Sequence, residues 1–495
     1  MYPIATATDA PSGISERGKT RLRVLNAALA AVGLMFMAMT LGQQFLGGAI
    51  LGGLTVFAVL LNPFLGIVTL LGTTMLDLPT FLAGSGRLTA NNFLGLILLA
   101  LLIMQLCMGR DFWFLRTPQV ILALAIGGVF VVSLAHSWYV YIPSGPLPRD
   151  YTESTLFPLF SRTAFLLMFV NFVKTRTHVL LILLSLLVFT LAVMPSVFYN
   201  LLTWQAEVDP ITGKVAEFRV SSDTSSWGKN ENRLAFMCNI SILLIWMFAQ
   251  ISKLQAVRLL ATPSILILAG LILATGSRSG FISLGMVLLF LLLQQGISRM
   301  FRLSVVAAGV VCLLMLFVIL PQKASERLLN LSPDQSERGE GWRSTQSRIE
   351  TNEHALQILM NDPLFGVGPG NFRWVHRQLY PYTLSGGRPN HNSYLWAATE
   401  GGIPALLLYL LLFFFTWRDL QMVQRNFSQD HQLWHVARFL KGYLMVFLFF
   451  SAFADFWLTP QLYLPVGLAV LVKRLAAEEE GARPGPVVAT HPSPA

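Results

Sequence analysis

Apolar runs of about 20 residues recur along most of this 495-residue chain. A helix of that length crosses the hydrocarbon core of a bilayer, which is about 30 Å thick. Charged residues make up only 12% of the chain, whereas a typical soluble domain carries about 25%. The sequence therefore predicts an all-α integral membrane protein, a polytopic bundle of 12–14 transmembrane helices.

The favoured number is fourteen, and basic residues between the apolar runs set the orientation. The candidate spans are residues 24–42, 45–61, 63–80, 92–109, 118–136, 158–173, 178–201, 232–251, 259–275, 280–297, 303–321, 393–416, 435–452 and 456–472. With the N-terminus in the cytoplasm, nearly all of the cytoplasmic links are basic, as the positive-inside rule requires. An even number of spans then places both termini in the cytoplasm.

This topology divides the chain into five parts. Residues 1–23 form a cytoplasmic N-terminal segment, residues 24–321 form a bundle of about eleven spans, and residues 322–392 form a large outside loop. Residues 393–472 return as C-terminal transmembrane helices, and residues 473–495 form a disordered cytoplasmic tail. Two further outside loops, 137–157 and 202–231, lie within the bundle, so we expect the polar chemistry on the outer face.

The formal net charge of +10 does not indicate nucleic-acid binding, because the basic residues punctuate apolar segments and form no stripe on a soluble domain. The outside segments hold no tight pair of aspartates, and we predict no metal and no cofactor. The composition implies a lipid bilayer as a partner and does not indicate a nucleic acid. The oligomeric state stays open.

The large outside loop contains two local signals. Residues 341–361 follow helical spacing, with apolar residues on one face and Arg348 on the other, and Pro363 stops that helix. The sequence GVGPGNF (366–372) follows as a glycine-rich turn, which lets the backbone come close to a neighbouring group. It lacks the lysine of a phosphate-binding P-loop.

Four side chains are the main candidates for chemistry on the outer face. Arg278 lies in the tight polar turn TGSRSG, Arg219 in the loop 202–231, Arg348 on the loop helix, and His391 where the chain re-enters the membrane. Arginine binds phosphate through two N–H groups, and a histidine can accept a proton from a hydroxyl. The competing interpretations are an interfacial anchor or a carboxylate partner for an arginine, and a helix cap for His391.

Tyr394, Asn392 and Glu400 are the further candidates, which we assign to substrate binding. Tyr394 could instead belong to the aromatic belt at the membrane surface. Glu400 is a candidate because a carboxylate within a span is costly unless it faces a polar cavity. A helix that starts near Ile403 would leave it in the loop. Asp77, near the outer end of a predicted span, is a possible auxiliary carboxylate.

The order TGSRSG, a long outside loop with an arginine-bearing helix and GVGPGNF, and then HNSYLWAATEGGIPALLLYL resembles the O-antigen ligase and O-antigen polymerase superfamily. The strongest part of the resemblance covers Arg219 to Leu410. It implies a bacterial inner-membrane glycosyltransferase, without metal or nucleotide sugar, whose active site faces the periplasm. Such an enzyme passes a glycan from an undecaprenyl-pyrophosphate carrier to an acceptor sugar hydroxyl.

By position, Arg278 and Arg348 resemble the family arginines that hold the donor pyrophosphate, and Arg219 resembles a further phosphate contact. His391 resembles the essential histidine at the end of the large loop. The resemblance leaves three functions open. They are a ligase that uses a lipid A-core acceptor, a polymerase for O-antigen or exopolysaccharide, and a protein glycosyltransferase. A transporter of small anions or other solutes is the alternative from a different class, although the chain shows no pair of broken helices in matching halves.

Overall fold

The computed structural model describes residues 46–76, 89–109, 112–140, 149–203, 221, 230–293, 302–303, 305–307, 309–310, 340–383, 388–456 and 458–481. Two predicted site residues, Arg219 and Asp77, lie outside the described residues. The same holds for the N-terminal segment 1–23, most of the loop 202–231, the part of the large loop before Glu340, and the end of the tail.

The described chain is helical and contains no strand, as predicted. Its α-helices are α1 (Leu46–Leu61), α2 (Pro63–Met75), α3 (Ala90–Cys107), α4 (Pro118–Val140), α5 (Arg149–Phe172), α6 (Arg176–Thr203), α7 (Glu231–Ile251), α8 (Gln255–Ala274), α9 (Arg278–Leu292), α10 (Glu340–Asn361), α11 (Phe372–Leu379), α12 (Ser393–Asn426), α13 (Gln432–Ser451) and α14 (Pro460–Gly481).

Among the described residues, seven helices are long and apolar enough to cross a membrane. They lie within α4, α5, α6, α7, α8, α12 and α13, and three shorter apolar helices lie within α2, α3 and α9. This confirms an all-α polytopic membrane protein. The number of spans over the whole chain stays a prediction.

Two predicted polar links are shorter than expected. Helix α4 continues to Val140 and α5 begins at Arg149, so helix occupies most of the predicted loop 137–157. Helix α12 continues to Asn426, although its predicted span ended at residue 416. Polar side chains lower the hydropathy of these stretches without breaking the helix, because hydropathy measures transfer to lipid and not helix propensity.

The described residues form two compact units. One holds the described residues up to Gly109, apart from 74–76, and in it the amide nitrogen of Asn91 donates to the carbonyl oxygen of Thr73 at 3.2 Å. The second holds the remaining described residues and all of the candidate site residues that the structure describes.

Helix α7 lies at the centre of the second unit. It packs against α6, α8, α9 and α13, and its apolar residues are buried on every side, including Trp246 at 0% exposure. A helix that is apolar all round is suited to such a position. Around it, α12 packs against α4, α13 and α14. These contacts hold the start of α7, the turn before α9 and the start of α12 in one scaffold.

Candidate active site

Helix α12 contains a backbone break that organises the site. Gly402 has φ 72° and ψ −179°, a conformation that residues with a side chain rarely adopt. Pro404 has no N–H group and therefore cannot bond to the carbonyl oxygen of Glu400, four residues earlier. The carbonyl oxygens of Thr399 and Glu400 are thus released from the helix and need other donors.

The glycine turn 366–372 supplies those donors. The N–H of Val367 donates to the carbonyl oxygen of Thr399 at 2.8 Å, and the N–H of Gly368 donates to that of Glu400 at 3.1 Å. In return, the N–H of Ile403 donates to the carbonyl oxygen of Pro363 at 2.7 Å. The glycine turn and the broken helix therefore satisfy each other's backbone groups.

Glycine is required on both sides of this contact. A Cβ atom on Gly366 would lie 2.5 Å from the carbonyl oxygen of Thr399, and one on Gly402 would lie 2.3 Å from that of Leu364. Both glycines have positive φ, 66° and 72°. The predicted close approach of the glycine-rich turn to another group is thus an approach to the backbone of α12.

The end of α4 fixes the same turn from a third side. Ser133 Oγ lies 2.6 Å from the carbonyl oxygen of Glu400 and 2.5 Å from that of Phe365. His136 Nε2 lies 2.6 Å from Asp362 Oδ2, and its ring stacks on Phe365 with centroids 4.5 Å apart. Asp362 comes directly before the proline that ends the loop helix. Ser133 and His136 were not predicted as site residues, since both lie within an apolar run.

The loop helix is present as α10, within one residue of the predicted start, but its buried face differs from the predicted apolar face. The apolar face was predicted from Ile349, Ala355, Leu356, Leu359 and Met360. Ala355 and Leu359 are buried as predicted, whereas Ile349, Leu356 and Met360 are exposed. Ile358 was not predicted on this face, and it packs together with Ala355 against Val367, Phe372 and Val375 of the following turn and helix. The face was misjudged because small and polar residues such as Ser347 and Thr351 are also buried.

A histidine pair joins α10 to α11. His354 Nδ1 lies 3.0 Å from His376 Nε2, and the ring of His354 stacks on Tyr380 with centroids 3.7 Å apart. Burial and the neighbouring His354 lower the pKa of His376 to about 4, against a backbone hydrogen bond to Arg388 that raises it. Both imidazoles are therefore neutral at neutral pH. Their contact joins α10, which carries Arg348, to α11, which carries Arg373.

His391 lies among three arginines and one carboxylate. Its imidazole interacts electrostatically with Arg348 of α10, Arg373 of α11 and Arg388 at the end of the large loop. It interacts in the same way with Asp455, in the link between α13 and α14. Burial lowers the pKa of His391 first and Arg348 lowers it next, whereas Asp455 raises it. The net shift is downward, so the imidazole is neutral and able to accept a proton at neutral pH.

The residues that follow His391 fix its position. Asn392 caps α12, because its Oδ1 accepts from the N–H groups of Tyr394 and Leu395 at 3.0 and 3.2 Å. Ser393 Oγ donates to the carbonyl oxygen of Ala454 at 2.7 Å and accepts from the N–H of Phe456 at 2.8 Å. The two residues flanking Asp455 are therefore tied to the start of α12, which holds the carboxylate near His391.

The TGSRSG turn is tied to the first turn of α7. Ser277 Oγ caps α9 through the N–H of Gly280 at 3.0 Å and donates to Asn232 Oδ1 at 2.6 Å. Arg278 opens α9 and is half-buried. Next to Asn232, Arg233 Nη2 lies 3.8 Å from Asp455 Oδ1. The start of α7 thus joins the turn that carries Arg278 to the carboxylate beside His391.

The predicted site residues divide into two groups. The structure places Arg348 and His391 together and joins the turn of Arg278 to them through α7. Tyr394, Asn392 and Glu400 are used within the fold: Tyr394 donates its hydroxyl to the carbonyl oxygen of Leu448 at 2.8 Å, and Asn392 caps a helix.

Glu400 lies within α12 and is 1% exposed, so the alternative that placed it in a loop does not hold. The backbone N–H groups of Gly370 and Phe372 and the indole of Trp396 face its carboxyl group. Its buried carboxyl group therefore lies against the glycine turn.

Three charged residues near His391 were not assigned to the site from the sequence. Arg373 and Arg388 stand in the loop among several arginines, and nothing in their spacing separates them from Arg377. Asp455 lies in a predicted outside link of three residues. Its predicted position on the outer face was the one feature of the sequence that could have indicated a role in the site.

The fold and the site together define a polytopic all-α membrane protein with a histidine set among arginines where one helix begins. Residues 263–410 match the family model described as O-antigen ligase. The match confirms the resemblance to the O-antigen ligase and polymerase superfamily and covers Arg278, Arg348 and His391. The match over this part of the chain supports a function of the O-antigen ligase or polymerase type, and together with the membrane-spanning helices it indicates a bacterial membrane protein. A comparison with curated proteins gave no significant match.

Proposed function

We propose that the protein is an inner-membrane glycosyltransferase that moves a glycan from an undecaprenyl-pyrophosphate carrier to an acceptor sugar hydroxyl on the periplasmic side. The observation that carries this proposal is the position of His391 among Arg348, Arg373 and Arg388, which together with burial lower the pKa of its imidazole. A base next to several cations is suited to a reaction in which a hydroxyl loses a proton and a pyrophosphate leaves.

In the proposed reaction, His391 accepts the proton of the acceptor hydroxyl. The acceptor oxygen forms a bond to the anomeric carbon of the donor sugar, and the bond between that carbon and the pyrophosphate oxygen breaks. The pyrophosphate leaves with the electron pair, and attack from the opposite side inverts the configuration at the anomeric carbon. Asp455 stabilises the imidazolium that forms on His391.

The arginines supply the positive charge that the leaving pyrophosphate needs. Arg348 and Arg278 are the proposed pyrophosphate ligands, and Arg373 and Arg388 add charge next to His391. Guanidinium groups bind phosphate oxygens in pairs, so they can replace a divalent cation at this step. We therefore propose a metal-independent reaction, in which Arg219 is a further phosphate contact.

The acceptor defines the branch of the family. A ligase passes a finished polysaccharide to lipid A-core, whereas a polymerase adds repeat units to a chain on the same type of carrier. The donor and the residues that act on it are shared, so the accumulating intermediate distinguishes the two.

Glycan profiling of a deletion strain tests the proposal. The strain is complemented with wild type, Arg278→Ala, Arg348→Ala or His391→Ala, and with Arg258→Ala as an exposed control outside the site. We expect loss of long-chain surface polysaccharide in the deletion, and recovery only with wild type and the control.

Accumulation of long carrier-linked chains identifies a ligase, and accumulation of single repeat units identifies a polymerase. An unchanged profile, or full recovery with the three site variants at normal expression, would contradict the proposal and favour a transporter.

A further inference from the structure

The C-terminal end of the loop helix α10 presents large apolar side chains that are exposed. Leu356 and Met360, four residues apart on one face of α10, are 49% and 77% exposed. Leu364 and Phe365 follow directly after the helix end and are 63% and 37% exposed. We call these four residues the apolar patch. A concentration of exposed apolar side chains in so short a stretch indicates a surface that a partner covers.

The stretch that carries the apolar patch contains little charge. Between His354 and Arg373, the one charged residue in the sequence is Asp362. Its carboxylate is turned away from solvent, because the side chain is 13% exposed and Oδ2 lies 2.6 Å from Nε2 of His136. The stretch therefore lacks the exposed charge that would hold it in water.

The apolar patch is attached to the end of the membrane-spanning helix α4. The ring of Phe365 stacks on that of His136 with centroids 4.5 Å apart, and Ser133 Oγ lies 2.5 Å from the carbonyl oxygen of Phe365. The candidate span within α4 is Pro118–Trp138, so His136 lies two residues, or about 3 Å along the axis, before its last residue. Phe365 is therefore held at the level where this span ends.

The apolar patch also contacts the membrane-spanning helix α12. The N–H of Ile403 donates to the carbonyl oxygen of Pro363 at 2.7 Å. A Cβ atom on Gly402 would lie 2.3 Å from the carbonyl oxygen of Leu364, so the two backbones are in direct contact. Both α12 residues lie within the candidate span Ser393–Asn426. Leu364 is therefore held beside the span and not above it.

Both spans carry exposed apolar residues that lead up to the apolar patch. With helical spacing, these residues are Ile121, Leu124, Val131 and Val132 of α4, and Ile403, Leu407, Leu410 and Phe414 of α12. Apolar faces that stay exposed along membrane-spanning helices are covered by lipid. The face of α12 begins at Ile403, the residue that bonds to Pro363. The apolar patch is thus continuous with a lipid-facing surface, which identifies lipid as its partner.

We propose that the apolar patch inserts into the leaflet nearest the large loop, at the boundary between headgroups and acyl chains. The insertion anchors the end of α10 to the bilayer and so holds the helix that carries Arg348 at a fixed height above the membrane. The partner is the bulk lipid of the bilayer. The inference does not rest on the proposed glycosyl transfer.

Depth-dependent fluorescence quenching tests the proposal. In the full chain with alanine at Cys107, Cys238 and Cys312, Met360→Cys and Leu364→Cys are each labelled with bimane and reconstituted in phosphatidylcholine liposomes. The quenchers are phospholipids with a doxyl group at two depths and iodide in the buffer. We expect quenching by the doxyl lipids, at a depth of about 5–10 Å below the headgroups, and protection from iodide.

Two further positions calibrate the measurement. Tyr382→Cys is the aqueous control, since Tyr382 is fully exposed in the link after α11, and Ile267→Cys is the lipid control, since Ile267 is exposed within the span of α8. Iodide quenching at Met360 and Leu364 equal to that at Tyr382 would overturn the proposal. Protection from both iodide and the doxyl lipids would also overturn it and indicate cover by protein, either a second copy or another segment of the chain.

Photo-crosslinking in the chain with its native cysteines is the second measurement, should the cysteine-free chain fold poorly. Benzoylphenylalanine is placed at Met360, Tyr382 or Ile267, and adducts are identified by mass spectrometry after irradiation in liposomes. We expect a phospholipid adduct at Met360 and Ile267 and none at Tyr382. A lipid adduct at Ile267 alone would overturn the proposal.

Discussion

The N–H of Val367 donates a 2.8 Å hydrogen bond to the carbonyl oxygen of Thr399, and this bond joins the glycine turn of the large loop to the break in α12. The break lies about three turns beyond His391, at Gly402. Because the same turn leads into α11, which carries Arg373, the backbone contact sets the position of a loop arginine relative to the histidine.

Substitution of Gly402 by alanine should destabilise the protein and lower activity together. The added Cβ would lie 2.3 Å from the carbonyl oxygen of Leu364, and the positive φ adds strain on the order of 1–3 kcal/mol. Thermal unfolding in detergent measures the effect. Gly285→Ala is the control, since its Cβ would meet no atom within 4 Å. Equal melting temperatures for the two variants would refute the proposed role of the contact.

Removal of the proposed base should lower transfer without preventing assembly. His391→Gln is expected to reduce kcat/KM by about 10²- to 10⁴-fold, the range that general base catalysis supplies. In wild type, the fall in activity on acidification should lie below pH 6.5, because burial and Arg348 lower the pKa of His391 from its ordinary value. A wild-type rate that falls above that pH would contradict the assignment.

Arg348→Gln should change both the rate and its pH dependence. Loss of a phosphate ligand lowers the rate by about 10²- to 10³-fold. Loss of its positive charge raises the pKa of His391, so the remaining activity should fall at a higher pH than in wild type. Arg377→Gln is the matched control, since Arg377 is an exposed arginine of α11 that does not act on His391. A purely structural role for Arg348 would lower the rate without moving the profile.

The histidine pair should make the stability of the protein depend on pH. The pKa of His376 is about 4 in the folded protein and about 6.5 in the unfolded chain. Between these values the unfolded state binds the proton, so the free energy of unfolding falls as the pH falls, by about 3 kcal/mol in total.

Melting temperatures at several pH values between 4 and 7 test this linkage. The double variant with glutamine at His354 and His376 should melt with a weaker pH dependence than wild type. Parallel curves for wild type and the double variant would show that the pair does not titrate as expected.

The sequence predicted the class of fold well, because membrane spans and loop helices leave local signals. Apolar runs predicted the helices, and Pro363 predicted the end of α10 at Asn361. The same local signals overestimated the link 137–157, where polar residues continue a helix. They also misjudged the buried face of α10, where packing buries Ser347 and Thr351.

The site was less predictable, because its residues come together through long-range contacts. Asp455 is 64 residues from His391 in sequence and is brought near it through Ser393. His136 reaches Asp362 across 226 residues, from within an apolar run. Local patterns find single candidates such as His391, but they do not show which arginines surround it or which polar residues, such as Asn392 and Glu400, serve the fold.

Reconstituted transfer tests the central claim most directly. The purified protein in liposomes is supplied with an undecaprenyl-pyrophosphate-linked glycan and an acceptor glycan, with and without a chelator of divalent cations, and the product is measured. We predict transfer by wild type that the chelator does not reduce, equal transfer by His178→Gln as a histidine control, and loss with His391→Gln. Transfer that stops in the chelator and returns with a metal ion, or that persists in His391→Gln, would contradict the proposed mechanism.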